Sequence, residues 1–268
     1  MGQLTCLKTL QFFKVGLEQG RRIKELGHLK NLGGELTING LQLVCNREEA
    51  QTAYLQENPN IIKLAYLWSH DEPEGCEINY EYVLDGLQPH PNLKTLAVVD
   101  YLGTRFPAWL REDLLPYLVN LKLSGCKKCK EVPSLGQLKL LRHLELVGFH
   151  ETECIAPTFY GVEVSNNGSS SDNANIQVFP LLKELVLDDM PSLTEWKGVE
   201  LIPTENGGRD GVGVRMFPGL EKLRIRNFPL SIVLFHLKPN VLLILHQTRN
   251  VYISLSMWFN IENLCSFS

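Results

Sequence analysis

A short pattern recurs along the chain: an apolar residue, two variable residues, a leucine, one variable residue and another apolar residue. It reads as Leu7-Leu10-Phe12, Leu32-Leu36-Ile38 (stretched by one residue), Ile61-Leu64-Tyr66 and Leu93-Leu96-Val98. It returns as Leu118-Leu121-Leu123, Leu141-Leu144-Leu146, Leu182-Leu185-Leu187 and Leu220-Leu223-Ile225. The central leucines stand 26, 28, 32, 25, 23, 41 and 38 residues apart. Alternate side chains of a strand face opposite sides, so the two apolar residues of each copy point one way and their neighbours the other. One such unit cannot cover its own apolar face. The units must therefore stack, each strand parallel to the last, around a shared core. Eight strands at about 4.8 Å spacing span an open face roughly 34 Å along its arc.

These steps lie near the leucine-rich repeat period of about 20–29 residues, except the last two, which carry insertions. The expected fold is an α/β leucine-rich repeat solenoid: a horseshoe with a parallel concave sheet of eight strands and short helices or irregular turns on the convex side. Repeats are expected over 1–230. Flexible insertions are expected at about 162–177 and 203–216, which hold the low-complexity stretches SNNGSSSDNAN and TENGGRDGVGVR. Asn46 followed by Glu49 reads as a capped helix start running toward Asn58-Pro59, and Asn79 caps a second helix containing Val83, Leu84 and Leu87. Residues 231–268 form a divergent apolar tail. Val251, Ile253, Leu255, Met257, Phe259 and Ile261 alternate there, which permits a strand; aberrant translated sequence is the alternative.

Composition excludes several classes. Lys and Arg number 26 against 30 Asp and Glu, a net charge of -4, where a nucleic-acid binder should show a basic excess. No apolar run is long enough to span a membrane, and the start MGQLTCLKTL has no signal-peptide character. Seven irregularly spaced cysteines read as reduced cytoplasmic thiols, so the glycosylation triplet Asn167-Gly168-Ser169 is a chance match. Cys126-Lys127-Lys128-Cys129 has zinc spacing but lacks a second ligand pair, and a structural turn is the preferred reading. Gly207 to Gly213 lacks the Lys-Ser/Thr of a phosphate loop. His90, between two prolines, has no nucleophile and acid in register with it. Phe106-Pro107-Ala108-Trp109 reads as an aromatic bracket sealing the solenoid. We therefore expect no enzyme activity, cofactor or metal.

The connecting residues are more specific than the leucines. LDGLQPHPNLKTLAVVDYLGTRFPAW (84–109) and LVNLKLSGCKKCKEVPSLGQLKLLRHLELVGF (118–149) resemble the leucine-rich repeat region of plant coiled-coil-type nucleotide-binding disease resistance proteins. So do Phe179-Pro180-Leu181-Leu182, Phe217-Pro218-Gly219-Leu220, and Met190-Pro191-Ser192-Leu193 with Glu195-Trp196. The resemblance covers about 1–230. It implies a non-catalytic, cytoplasmic recognition and autoinhibition module of an innate immune receptor. Implied partners are proteins: a receptor's nucleotide-binding domain, supplied in trans, a pathogen effector or a guarded host protein. The sequence opens inside a repeat, so a receptor fragment is expected, with one uncapped sheet edge. A substrate adaptor of a ubiquitin ligase, or a nonfunctional gene remnant, is the alternative.

The candidate partner-binding residues are the outward strand positions: Thr95, Ala97, Val99; Asn120, Lys122, Ser124; His143, Glu145, Val147; Glu184, Val186, Asp188; and Lys222, Arg224, Arg226. Singly, each reads as part of a solvated face. As a set they are expected to bind protein, because parallel sheets are usually covered on both faces. Glu145, Glu184 and Asp188 should adjoin the basic Lys222, Arg224 and Arg226. Either the two groups neutralise each other or an oppositely patterned partner engages them. Because the sequence has no G-x-x-x-x-G-K-[ST] phosphate loop, ATP and ADP should show no saturable binding. Titration calorimetry at micromolar protein checks this, and a saturable isotherm would refute it.

Overall fold

A computed structural model describes residues 4–69, 78–110, 114–161, 176–198, 214–228, 233–238, 241–245 and 250–254. Fifteen strands are described: β1 (Phe12–Lys14), β2 (Gly33–Asn39), β3 (Asn60–Leu67), β4 (Thr95–Val99), β5 (Asn120–Ser124), β6 (His143–Val147), β7 (Cys154–Ile155), β8 (Ile176–Val178), β9 (Glu184–Asp188), β10 (Glu195–Trp196), β11 (Val214–Met216), β12 (Lys222–Arg226), β13 (Val233–Lys238), β14 (Val241–Leu245) and β15 (Asn250–Ser254). The main sheet has the order β1-β2-β3-β4-β5-β6-β9-β12-β15. Its first eight strands run parallel. The chain is the leucine-rich repeat solenoid that the sequence pattern requires.

The repeat leucines form two ladders. Leu36, Leu64, Leu96, Leu121, Leu144, Leu185 and Leu223 are mutual register partners, strand after strand. So are Ile38, Tyr66, Val98, Leu123, Leu146, Leu187 and Ile225. All fourteen are buried. Tyr66 carries a polar atom into this core and satisfies it by donating to the Leu87 carbonyl, as a buried phenol must.

The first repeat differs from the sequence expectation. Phe13, not Phe12, pairs with Ile38, and Phe13 and Val15 are buried while Phe12 is exposed. Two apolar frames of opposite parity, Leu10/Phe12 and Phe13/Val15, both satisfy period two. Pairing with β2 selects the second, and a one-residue shift turns every side chain to the other face.

Strand ends share one backbone solution. Gly40, Asp100, Gly125, Gly148, Asp189 and Asn227 each follow a strand and have positive φ. Glycine, aspartate and asparagine are the residues that tolerate this region. The N–H groups of Gly40, Asp100, Gly125, Gly148 and Asp189 then donate to the last carbonyl of the next strand, so the ladder continues past the strands themselves. At Gly125 a side chain has no room either, since a Cβ there would lie 2.2 Å from the Asp100 carboxylate.

The opposite side is built from caps, short helices and aromatic rings. α1 (Arg47–Gln51) starts at Asn46, whose side chain accepts from Glu49 N–H at 2.8 Å, while the Glu49 carboxylate accepts from Cys45 N–H at 2.9 Å. It ends at Thr52, well short of Asn58-Pro59, and a separate 3₁₀ turn covers Leu55–Glu57. α2 (Tyr80–Gly86) is capped by Asn79, as expected. The Phe106–Trp109 bracket closes one turn of the solenoid: buried Trp109 donates to the Leu84 carbonyl, and Phe106 packs between Tyr101 and Phe149. Farther on, Phe179 and Phe217 stack 5.2 Å apart and 7° from parallel, with Phe159, Tyr160 and Trp196 around them.

Residues 176–178 and 214–216, at the ends of the two expected insertions, are strands β8 and β11, paired parallel. The rest of those insertions, Asn167-Gly168-Ser169 and the Gly207–Gly213 run included, lies outside the described residues. In the tail, β13 and β14 form an antiparallel pair and β15 pairs antiparallel with β12. Val251 and Ile253 thus sit in a strand, and 255–268 lies outside the described residues. Among described residues no helix is long and apolar enough to cross a membrane. Leu185→Ala, in the middle of the ladder, should cost about 2–5 kcal/mol. Phe12→Ser, on the exposed side of β1, should stay within about 0.5 kcal/mol. Urea unfolding of the two variants tests both the ladder and the register of the first repeat.

Candidate protein-binding face

The sheet has one packed face and one open face. Every outward residue anticipated from β4 onward is part-exposed or exposed. Strand register draws them into three rows. Thr95, Asn120, His143, Glu184 and Lys222 form one. Ala97, Lys122, Glu145, Val186 and Arg224 form the next. Val99, Ser124, Val147, Asp188 and Arg226 form the third. The rows extend to residues that the sequence reading did not single out: Glu35 and Lys63; Phe12, Thr37 and Ala65; Lys14, Asn39 and Leu67. The same period-two rule, applied to the second and third repeats, would have found those on β2 and β3.

The face is polar but internally paired. Lys122 Nζ lies 3.0 Å from the Glu145 carboxylate, and Lys63 pairs with Glu35. Glu184 takes two partners from the strands on either side, Arg224 at 2.8 Å and His143 at 3.6 Å. Asn120 donates to Thr95 Oγ1 at 3.1 Å, and Asn227 donates to the Asp188 carboxylate at 2.8 Å. The junction between acidic and basic residues is therefore largely neutralised in place at Glu145, Glu184 and Arg224. Lys222 and Arg226 have no ion-pair partner among the described residues. Between the rows lies a shallow depression of about 410 Å³. Small Ala97 leaves space in its floor, and Asn120, Lys122, His143, Glu145 and Glu184 line its sides.

The other singled-out residues serve the fold. Cys126 and Cys129 are both buried, and a tight turn joins them through Cys129 N–H to the Cys126 carbonyl at 3.2 Å. Cys129 Sγ donates to the Gly103 carbonyl at 3.4 Å, and burial pushes the Cys126 thiol well above its ordinary pKa. This is the chemistry of a core turn, since an inert protonated thiol is a poor nucleophile and metal ligand. His90 Nδ1 accepts from Asn92 N–H at 3.1 Å and shapes the turn into its repeat.

Exposed single pairs contribute little, about 0–1 kcal/mol each. A double-mutant cycle on Lys122 and Glu145 should accordingly return a coupling below about 1 kcal/mol. The Arg224–Glu184 pair is less exposed, at 34% and 20%, and its coupling should be the larger. Urea unfolding of the single and double alanine variants measures both, and the reverse ranking would contradict this account of the face.

Known proteins share this repeat array. The family described as R13L1/DRL21 LRRs matches residues 23–149. RGA4 of Solanum bulbocastanum, named for disease resistance, is 35% identical over 87% of this chain and 21% of its own length. Disease resistance protein RGA2 of the same plant is 34% identical over 85% of this chain and 22% of its own. RPP13-like protein 1 of Arabidopsis thaliana, also named for disease resistance, is 30% identical over 81% and 20%. The chain thus spans about a fifth of the length of each relative.

Proposed function

From a chain that is a leucine-rich repeat protein homologous over most of its length to plant disease resistance proteins, we infer a protein-recognition module of plant immunity that acts by binding rather than by catalysis. The observation that carries this reading is the open face. A parallel sheet normally lies under cover on both sides, yet here eight repeats in register leave one side to solvent. A face of this kind is characteristic binding surface in repeat proteins. Most of its charged residues are held by their neighbours, so a partner meets a largely preorganised pattern, with less ordering entropy to lose on binding. The cytoplasm is the proposed compartment. Free cysteines, two of them fully buried, suit reducing surroundings.

The proposed partner is the nucleotide-binding part of a resistance protein, held in its resting state; a pathogen effector or a guarded host protein then competes for the module. Control of this kind requires the module to bind one state of the partner better than the other. Lys222 and Arg226, the cations of the last parallel strand with no ion-pair partner among the described residues, give the association its salt dependence. The test is co-purification of the full chain with RGA2 from which the matched region has been removed. Retention should fall as salt rises, and Lys222→Glu with Arg226→Glu should weaken it about tenfold while flattening the salt response. Equal recovery of wild type and variant at low and moderate salt would refute the reading.

A further inference from the structure

All eight repeats enter their strands through the same turn. Leu7, Leu32, Ile61, Leu93, Leu118, Leu141, Leu182 and Leu220 each donate a backbone N–H to the carbonyl three residues earlier, at 2.9–3.3 Å. The residue before each of these eight therefore occupies an equivalent place on the rim of the sheet. In three consecutive repeats that residue is large and apolar: Tyr117 is 53% exposed, Leu140 38% and Leu181 42%. The flanking repeats carry Asn92 and Gly219 instead, so the ridge has two defined ends. Beyond the ridge lies a second rim row, Lys94, Val119, Arg142 and Lys183. Each carbonyl of that row accepts two N–H groups from the following repeat, which fixes the row rigidly. Lys183 is engaged by Glu221 at 2.6 Å. Lys94, Lys139 and Arg142 have no ion-pair partner among the described residues.

We propose that this ridge of Tyr117, Leu140 and Leu181, bordered by Lys94, Lys139 and Arg142, is a docking site for an amphipathic helix with acidic flanks, separate from the open face. The spacing favours a helix lying across the strands. Neighbouring repeats stand about 4.8 Å apart, close to the helix pitch of about 5.4 Å. Apolar residues at i, i+4 and i+7 of the guest then meet the ridge repeat by repeat. Charge selects the class of guest. Three unpaired cations beside an apolar strip favour glutamate or aspartate on the helix flanks and disfavour a basic helix.

The probe is a fluorescein-labelled synthetic helical peptide with leucines at those positions and glutamates on both flanks, titrated with the full chain and read by anisotropy. Binding should saturate and weaken as salt rises. Replacing every glutamate of the peptide with lysine should lower affinity about tenfold. Leu140→Ser with Leu181→Ser should lower it about tenfold as well, with the thermal midpoint kept because both side chains are already exposed. Should that variant unfold, Arg142→Glu, a change confined to an exposed side chain, reads the same site through the charge term. Lys222→Glu with Arg226→Glu should leave the peptide affinity unchanged, so failure of the open-face reading is told apart from failure of this one. The proposal is overturned if binding does not saturate, if the lysine peptide binds equally well, or if Leu140→Ser/Leu181→Ser and Arg142→Glu keep wild-type affinity. It is overturned too if sedimentation shows a dimer that Leu140→Ser/Leu181→Ser dissolves, since the ridge then belongs to a second copy of the chain.

Discussion

Everything in this structure depends on the parallel register of the strands. A five-residue strand with two inward side chains has no core of its own. Leu144 is buried because Leu121 lies on one side of it and Leu185 on the other. The same register that stacks the leucines also stacks the residues between them, so the packed face and the open face are set by one act of pairing. Repeats of 23 to 41 residues remain in step because added residues leave through the connections between strands.

The connections hold that register in two ways. At the strand ends, a left-handed residue turns the chain and sends its N–H to the neighbouring repeat. At the strand starts, one carbonyl per repeat accepts from two N–H groups of the next. Behind the sheet the aromatic rings act as wedges between successive connections. Phe179 and Phe217 occupy equivalent places ahead of the neighbouring strands β9 and β12 and meet ring to ring. Both have positive φ, an uncommon conformation for a bulky residue, and the buried stack compensates for it. Trp196 places its N–H on the Tyr160 hydroxyl at 2.8 Å, so the wedge brings no unpaired polar atom into the core.

The open face shows how charge is managed on a surface that must stay both soluble and receptive. Acids and bases alternate along the rows, and most settle on the adjacent strand: Glu35 on Lys63, Glu145 on Lys122, Glu184 on Arg224 and His143. Such pairs add little stability when exposed. Their consequence is order, since a side chain held by its neighbour presents one geometry to whatever approaches. Among the described residues, the cations without an ion pair include Lys14, Lys222 and Arg226 on the face and Lys94, Lys139 and Arg142 on the rim, and there charge is still to be matched.

The sequence by itself determined the number of parallel strands, the leucines that face inward from the second repeat on, the outward rows and the helix starts at Asn46 and Asn79. Each of these follows from local rules, the period of two along a strand and the capping of a first helical turn. The glycine and aspartate turns were open to the same reading, because only a few residue types accept a positive φ. Tertiary structure alone decided that Phe13 and not Phe12 enters the core, since both frames have the right period and only pairing with β2 separates them. It decided that Glu184 is shared between His143 and Arg224, 41 residues before it and 40 after it in the chain. It also brought β8 to β11 and laid β15 antiparallel along β12. In each case the outcome is a pairing between distant segments, and period and composition describe a segment without fixing its neighbour.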